Sequence, residues 1–352
     1  MTPRPVRAAP VGRRRAAPRD ETRPLLKWAG GKRQLLGALR PFYPADFDRY
    51  IEPFAGSAAV FLDLHNLGRL ERRRVRLADS NPDITGCYRA VRDSVDEVIA
   101  ELEVLAEEHG RRDRALFHEV RDERFNPLRR RVLAGGVRRY PPALAAMLIY
   151  LNRTGDNGLY RLNSRGDFNV PAGRYASPRI CDADNLRRGS RAFGRRGVSI
   201  VTGGFEAALA DAGAGDVVYV DPPYAPVSAT ARFTAYTAGG FGPADQVRLR
   251  DVVVDLARRG CAVLVNNSTA PEIRALYVDH GPARAAGLRA FTVPVRRAIN
   301  SRGTARGPVM ESLITNLDPG PETRREAGER CKLWRTDTGS FAVLHTPSYG
   351  GH

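Results

Sequence analysis

The sequence predicts an α/β protein with a Rossmann-like, doubly wound and mostly parallel sheet, into which a mostly helical subdomain is inserted. Three observations predict this fold class. Short apolar runs typical of buried strands alternate with segments of helical periodicity in residues 25–90 and again in 191–317. Between these stretches, from about 94 to 150, the pattern is helical only. A chain of 352 residues, 42% of them hydrophobic, is also long enough to bury such a core.

The first alternating stretch opens with a helix near 32–39 and a strand near 49–52. That strand runs into the tight turn PFAGSA (53–58). A helix follows the turn, because apolar residues recur there at helical spacing, namely Val60, Phe61, Leu64 and Leu67. VRLAD (75–79) is predicted to be the next strand.

Helix starts are marked by short polar and proline motifs. Asn81-Pro82 combines an N-cap acceptor with a proline at the first helical position. Ser94 and Glu97 match a capping box, and Pro141-Pro142 precedes the apolar segment ALAAMLIYLN. These motifs predict helices that begin just after each of them.

The segment 151–175 is dense in Asn, Gly and Arg, which predicts turns and an exposed hairpin. Alternation then resumes. Strands are predicted at 198–203, 217–221, 261–267 and 291–295, and helices at 205–210, at 243–259 and after Pro271. Near the C-terminus, KLWRT and SFAVLHT fit a small added hairpin around Asp337-Thr338-Gly339.

These patterns divide the chain into five segments. Residues 1–24 contain Pro, Ala and seven arginines with almost nothing to bury, which predicts a disordered basic arm. The α/β domain comprises 25–90 and 191–317, and the inserted subdomain occupies 91–190. A polar tail, 318–352, follows.

The net charge of +17 and an isoelectric point near 10.4 favour a polyanionic partner, with nucleic acid the leading class. A solvated basic surface without a dedicated partner is the alternative. Only three of the 56 basic residues are lysines, and two of them, Lys27 and Lys32, lie in LLKWAGGK. In a chain that uses arginine almost everywhere, this placement indicates that a compact ammonium group is needed there.

Neither a metal site nor a disulfide framework is indicated. The four cysteines are far apart without a CxxC motif, and the six histidines show no HxxxH or HxxE spacing. No apolar run approaches the ~20 residues that a membrane span requires. We therefore expect a cytoplasmic protein without a metal cofactor or a membrane partner.

The turn PFAGSA and two carboxylates fall where strands are predicted to end, which is where open α/β sheets bind ligands. Asp79 ends the second strand and Asp221 ends the fourth. A glycine turn lets a ligand approach the backbone, and a carboxylate after the second strand can accept from ribose hydroxyls. This favours a nucleoside-containing cofactor. Only Gly56 stands where a dehydrogenase GxGxxG motif needs three glycines, and a purely structural turn is the commoner origin of PFAGSA alone.

Asp221-Pro222-Pro223-Tyr224 directly follows the apolar strand VVYV. Because proline lacks a backbone N–H, the two prolines give a rigid turn with carbonyl acceptors and no donors. Beside an ionised Asp221, this turn suits a group with two N–H donors, such as the exocyclic amine of adenine or cytosine. Tyr224 offers a flat face on which the base can stack. Accepting both hydrogens directs the nitrogen lone pair towards an electrophilic methyl group. An ordinary strand-capping turn is the alternative.

Together the motifs resemble the Dam-like DNA adenine N6-methyltransferases, an S-adenosylmethionine-dependent class whose recognition domain is inserted between the cofactor motifs and the catalytic motif. The resemblance spans about 25–316 and rests on LLKWAGGK (25–32), YIEPFAGSAAVF (50–61), LADSNPDI (77–84), NRTGDNGLYRLNSRGDFNVPAGRY (152–175), VYVDPPY (218–224) and RAINSRGTARGPVMESLITN (297–316). It implies methyl transfer from S-adenosylmethionine to N6 of an adenine flipped out of double-stranded DNA, without a metal.

The resemblance also implies roles for individual residues. The catalytic residues would be Asp221, Pro222, Pro223 and Tyr224. The cofactor would be bound by Trp28, Lys32, Glu52, Phe54, Gly56, Asp79 and Asp221. DNA would be contacted by Lys27, Asn157, Leu159 and Arg161, and the guanidinium fork of Arg161 suits guanine. Asp156 departs from the family, in which an aromatic wedge often stands at this position.

Several alternatives stay open at this point. Cytosine N4 or an RNA adenine is the rival acceptor, and a DNA-binding repressor on a catalytically retired scaffold is a rival of another class. The segment LNRTGDNGLYR favours the Dam-like branch, and the intact Asp221, Pro222 and Tyr224 speak against a retired enzyme. A monomer is expected. The sequence leaves open the target site, a cognate restriction endonuclease as partner, and a phage, restriction or regulatory origin.

Overall fold

The computed structural model describes residues 21–28, 30, 32–135, 139–226, 240–295, 309–319, 333–336 and 339–342. For 295, 309, 333–336 and 339–342 it describes the backbone alone. Within these residues the chain is an α/β protein built on a seven-stranded sheet, as the sequence predicts. Residues 1–20 of the predicted arm, and parts of LLKWAGGK and of the 297–316 segment, lie outside the described residues.

The strand order marks a point where the direction of winding reverses. The sheet strands are β1 Arg49–Glu52, β2 Arg74–Asp79, β3 Val198–Thr202, β4 Asp216–Val220, β5 Ala262–Ser268, β6 Arg289–Val295 and β7 Val309–Thr315. Their order is β3-β2-β1-β4-β5-β7-β6, so the winding reverses between β1 and β4. Neighbouring strands are parallel except at β7, which is antiparallel to β5 and β6. Such a reversal opens a crevice at the carboxyl ends of the two strands.

The central strands are buried on both faces, because helices cover the sheet from both sides. Every residue of β1 and β4 is buried. Neighbours along β1 point to opposite faces, so Tyr50 joins one hydrophobic cluster and Ile51 joins the other. Tyr219 and Val220 in β4 separate in the same way. The sheet is therefore doubly wound, as predicted.

Helices surround the sheet and fill the region between β2 and β3. They are α1 Leu36–Leu39, α2 Ala59–Asn66, α3 Pro82–Asp93, α4 Val95–Arg112, α5 Arg114–Glu119, α6 Asn126–Ala134, α7 Pro142–Thr154, α8 Ala183–Gly194, α9 Phe205–Leu209, α10 Pro243–Arg258, α11 Pro271–Tyr277 and α12 Gly281–Ala285. A π-helical segment, Val120–Phe125, joins α5 to α6. Short 3-10 turns occupy Lys32–Gln34, Arg40–Phe42 and Asp156–Gly158.

The predicted helical stretch between 94 and 150 is confirmed, and α7 lies at its centre. All eight residues from Leu144 to Leu151 are buried, so this helix is covered on every side. Asn81 caps α3 by accepting from the backbone N–H of Asp83, and Pro142 starts α7, both as predicted.

Two local predictions are wrong. Helix α4 does begin at Val95, but Ser94 makes no capping hydrogen bond; its hydroxyl instead accepts from the Arg139 guanidinium at 3.4 Å. Leu67, predicted on the apolar face of α2, lies just beyond the helix end and is 45% exposed. Strand β7 is an addition, because the sequence pattern predicts no strand there.

The segment 155–172 folds back on itself as an irregular hairpin, which confirms the predicted turn-rich element. Bridges pair Gly155 with Ala172 and Leu162 with Phe168. The side chain of Asn126 at the start of α6 accepts from the Phe168 N–H at 2.8 Å and donates to the Phe168 carbonyl at 3.0 Å. This amide therefore fastens the 155–172 hairpin to the helical region.

The N-terminal end of the described chain differs from the prediction, and the C-terminal end confirms it. Thr22 and Arg23, predicted within the basic arm, are packed: the Thr22 N–H donates to Asn66 and the Arg23 guanidinium pairs with Asp182 at 2.6 Å. Strands β8 Leu333–Thr336 and β9 Gly339–Ala342 pair antiparallel, which confirms the added C-terminal hairpin. Among the described residues no helix combines the length and apolar character that crossing a membrane requires.

Candidate active site

The functional side chains predicted for the cofactor and the base gather at the carboxyl edge of the sheet, where the winding reverses. Strand β1 ends at Glu52 and leads into PFAGSA, and β2 ends at Asp79. Strand β4 ends one residue before Asp221. Because parallel strands end at the same edge, three segments distant in sequence meet there.

The glycine turn after β1 needs glycine for two reasons. Gly56 has a φ of +44°, and a Cβ built on it would lie 3.0 Å from the Trp28 indole ring. Its N–H donates to the Asp79 carboxylate at 2.9 Å, and the Asn81 N–H donates to the other carboxylate oxygen at 2.9 Å. Trp28, Gly56 and Asp79 therefore form one packed unit at the crevice.

Buried acids line this edge. Glu52 is 2% exposed, and burial together with the nearby Asp221 raises its pKa to about 8, although the Tyr50 hydroxyl donates to its carboxylate at 2.8 Å. Burial also raises the pKa of Asp79 to about 6. Phe54 lies beside them, with its ring centroid 5.6 Å from that of Phe205. Acceptors and an apolar wall thus share the pocket.

Lys32 contacts the first and the last residue of the Asp221-Pro222-Pro223-Tyr224 turn. Its ammonium lies 2.9 Å from the Asp221 carboxylate, 4.6 Å from the Tyr224 ring centroid and 2.6 Å from the Gly30 carbonyl. Lys32 is 4% exposed, whereas 22% of the Asp221 side chain is accessible. Burial raises the pKa of Asp221 to about 6, and the charge of Lys32 opposes that rise.

Polar side chains far away in sequence support the proline turn. The Gln246 amide donates to the Pro223 carbonyl at 2.8 Å, and the Asn267 amide donates to Gln246 at 3.0 Å. The Ser268 hydroxyl donates to the Ala225 carbonyl at 2.7 Å. The Pro223 carbonyl therefore already accepts one hydrogen bond from within the protein.

Glu311 in β7 is a site residue that sequence reasoning missed. The Tyr224 hydroxyl donates to its carboxylate at 2.6 Å. Glu311 lies within RAINSRGTARGPVMESLITN, a segment matched to the family without any residue in it receiving a role. An acid within an otherwise apolar run was the available signal.

The residues predicted to contact DNA lie on the 155–172 hairpin and at Lys27, which packs against it. Asn157 and Arg161 are exposed on the 155–172 hairpin, whereas Leu159 is partly buried against the core. Arg161 is tied across the hairpin, donating to the Asn169 side chain at 2.8 Å and to its backbone carbonyl at 3.0 Å. Asn157 has a φ of +53° and donates to Asp156 at 3.2 Å.

Lys27 connects this hairpin to the cofactor side. Its backbone N–H donates to Asn152 at 2.7 Å, and its ammonium lies 4.2 Å from the Tyr175 ring centroid. Burial and the nearby Arg153 lower the pKa of Lys27. The hairpin packs closely against this lysine at Gly158, where an added Cβ would lie 2.4 Å from the Lys27 Cβ.

Comparison with known proteins identifies the family. The model of the D12 class N6 adenine-specific DNA methyltransferases matches residues 28–291. The chain belongs to this family. It is an adenine-specific DNA methyltransferase that methylates N6, and this membership decides against the cytosine and RNA alternatives. It also implies DNA as substrate and S-adenosylmethionine as methyl donor. No group of acidic, histidine or cysteine side chains in the described part of this methyltransferase is arranged to hold a metal ion.

Three relatives illustrate the similarity of this methyltransferase to known proteins. It is 36% identical to a Type II methyltransferase of Methanocaldococcus jannaschii, over 84% of this chain and 99% of that protein. It is 34% identical to a Type II methyltransferase of Lactococcus lactis subsp. cremoris, over 84% and 95%. It is 35% identical to the DNA adenine methylase of Escherichia coli K12, over 85% and 97%.

Proposed function

We propose that this methyltransferase draws an adenine out of double-stranded DNA and holds its amine between the Asp221 carboxylate and the Pro222 carbonyl. One observation carries the proposal: Asp221 is partly buried at the switch point of the sheet, with an ammonium on one side and the Tyr224 ring beside it. An amine with two N–H donors matches these two acceptors. The Pro223 carbonyl already accepts one hydrogen bond from Gln246, so we take the Pro222 carbonyl as the second acceptor.

The residues at the carboxyl edge fit S-adenosylmethionine. Asp79 can accept from ribose hydroxyls, and the Gly56 turn keeps the backbone open beside the Trp28 indole. Lys32 and Trp28 would border the methionine end, with Glu52 and Phe54 shaping the pocket. The donor supplies an activated methyl group on a cationic sulfur, which suits a pocket lined by acids.

The protein's own contribution to the chemistry is orientation and charge placement. Asp221 and Pro222 accept the two amine hydrogens, which leaves the nitrogen lone pair free for attack. Lys32 favours the ionised form of Asp221 in a buried environment. The amine loses one proton as the N–C bond forms, and Asp221, whose pKa is raised to about 6, can accept it.

DNA binding is assigned to the hairpin and the basic surface. Asn157 and Arg161 are exposed on the 155–172 hairpin, and Lys27 and Leu159 pack at its base. The net charge of +17 supports phosphate contacts over a wide area. Asp156 stands where the family often has an aromatic wedge, and it accepts a hydrogen bond from Asn157 within the turn. Displacement of the base from the duplex would therefore depend on other groups.

Turnover with S-adenosylmethionine and duplex DNA, followed by nucleoside mass spectrometry, tests the assignment. N6-methyladenine is the expected product, and Asp221→Ala should abolish it while DNA binding persists. Asp251→Ala, which removes an exposed carboxylate of α10, is the control and should leave turnover unchanged. Normal turnover by Asp221→Ala would contradict the proposed role. The subdomain boundaries, the monomeric state, the cytoplasmic location and a cognate restriction endonuclease stay predictions of the sequence.

A further inference from the structure

A buried carboxylate outside the reacting centre binds three side chains at once. Asp83, the second residue of α3, accepts hydrogen bonds from the Arg129 guanidinium and from the hydroxyls of Tyr140 and Tyr160. Asp83 is 0% exposed and its partners are 6%, 3% and 4% exposed, respectively. We call these four residues the Asp83 cluster.

The Asp83 cluster joins the cofactor side of the molecule to the inserted region. Asp83 lies four residues after Asp79, the last residue of β2, and the Asn81 side chain accepts from the Asp83 N–H at 3.0 Å. Arg129 lies in α6, and Tyr160 lies in the 155–172 hairpin. A single side chain at the edge of the cofactor pocket thus holds two elements of the inserted region.

Arg129 and Tyr160 extend these contacts along the hairpin. The Arg129 guanidinium also donates to the Gly166 carbonyl at the hairpin tip, at 2.6 Å. The Tyr160 ring centroid lies 5.8 Å from that of Trp28, which packs on Gly56. Tyr140 binds the same carboxylate but lies before α7, outside the hairpin.

A buried cluster of charged and polar side chains fixes the relative positions of the elements that carry it more than it raises the free energy of unfolding. Taking charged groups out of water offsets most of their attraction, so a buried ion pair contributes little net stability compared with apolar packing. It does, however, penalise any arrangement in which a partner is left unpaired. The 155–172 hairpin therefore has one favoured position relative to β2 and α3.

We propose that Asp83 is a positioning residue that holds the 155–172 hairpin, through Arg129 and Tyr160, in the orientation required to bind DNA. The inference rests on the proposed DNA contacts of that hairpin. In this proposal Asp83 acts through Arg129 and Tyr160 and not by contact with the base or the methyl donor.

Two matched tyrosine variants separate positioning from stability. Tyr160→Phe and Tyr140→Phe each remove one hydroxyl from the same carboxylate, and Tyr160→Phe also removes the acceptor of a 3.4 Å hydrogen bond from Arg129, so it should lower the melting temperature at least as much as Tyr140→Phe. Tyr160→Phe should raise KM for plasmid DNA about five- to tenfold, with kcat at saturating DNA changed less than about twofold. Tyr140→Phe should leave KM for DNA within about twofold of the wild type. Equal KM effects, or none in Tyr160→Phe, would overturn the inference.

A second pair of variants tests the role of Arg129. A further variant, Arg161→Ala, tests the proposed DNA contact separately. Arg129→Met should raise KM for DNA, whereas Arg130→Met, which breaks the exposed pair with Asp167 at the same hairpin, should not. Arg161→Ala is measured alongside. If it leaves DNA affinity unchanged, the proposed DNA contact fails; if it weakens binding while Tyr160→Phe does not, the positioning role alone fails.

Discussion

At the scale of single residues, the candidate site combines the ammonium of Lys32 with three carboxyl groups. Glu52, Asp79 and Asp221 all have raised pKa values because the pocket shields them from water. Lys32 is the described cation that contacts Asp221, and it also lies over the Tyr224 ring. A compact ammonium can approach both groups at once, which gives a physical reason for lysine in a chain rich in arginine.

Replacing Lys32 should move the acid limb of activity. In the proposed reaction Asp221 acts in its ionised form, so activity should fall as pH drops through its pKa of about 6. Lys32→Met removes the charge that lowers this pKa, so the acid limb should shift upward by about one pH unit. The pH profile of kcat at saturating substrates measures it. Lys32→Arg keeps the charge but not the compact ammonium, so it should leave the acid limb in place even where kcat falls. An acid limb unmoved in Lys32→Met would rule out this role.

Glu311 and Tyr224 should act as a unit. The tyrosine hydroxyl donates to the carboxylate at 2.6 Å, which fixes the orientation of the ring proposed to stack on adenine. Tyr224→Phe and Glu311→Leu should each lower kcat about tenfold, and the double variant should lose little more. Cofactor affinity should be unchanged in all three. Fully additive losses in this double-mutant cycle would mean that the two residues act independently.

At the scale of elements, local sequence patterns predicted most strands and helices, but they did not predict hydrogen bonds between residues far apart in the chain. Strands β1 and β4 were predictable because every residue in them is buried, and β3 was predictable from its β-branched residues although only Ile200 in it is buried. β7 was missed because Glu311 and Ser312 interrupt its apolar pattern and nothing local indicates an antiparallel insertion. The capping box at Ser94 failed because Arg139, distant in sequence, binds its hydroxyl instead.

In the candidate site, too, local sequence predicted some residues, whereas the roles of others depend on distant contacts. Asp221, Gly56 and Asp79 could be predicted because each stands at the end of a strand, where the chain has to turn. Gln246 and Asn267 could not, since their roles come from contacts with a turn more than twenty residues away. Asp83 was hidden in the same way, because its partners lie 46 to 77 residues further along the chain.

Two glycines of the 155–172 hairpin provide an element-scale test. Gly158 and Gly166 have φ values of +63° and +79°, so an alanine costs about 1 kcal/mol of backbone strain at either. A Cβ on Gly158 would also meet Lys27, whereas Gly166 has no atom within 4 Å of that position. Gly158→Ala should therefore lower the melting temperature further and weaken DNA binding. Equal melting temperatures for the two variants would argue against tight packing at Lys27.

At the scale of the whole molecule, charge should govern the strength of DNA binding. Residues 1–20 carry six arginines and one aspartate, so removing them lowers the net charge from +17 to +12. Each phosphate that the protein no longer neutralises reduces the slope of log affinity against log salt by about 0.9. The truncated enzyme should therefore bind duplex DNA with a shallower salt dependence, measured by fluorescence anisotropy, and keep its kcat. An unchanged slope would mean that the arm neutralises no phosphates.

The two proposed acceptors have a consequence for when the reaction stops. The Asp221 carboxylate and the Pro222 carbonyl offer one acceptor for each hydrogen of an unmodified amino group. A base that already carries one methyl has a single hydrogen to offer and would leave one acceptor unsatisfied. The proposed site would therefore bind its own product less tightly than its substrate, and dimethylated adenine should not accumulate.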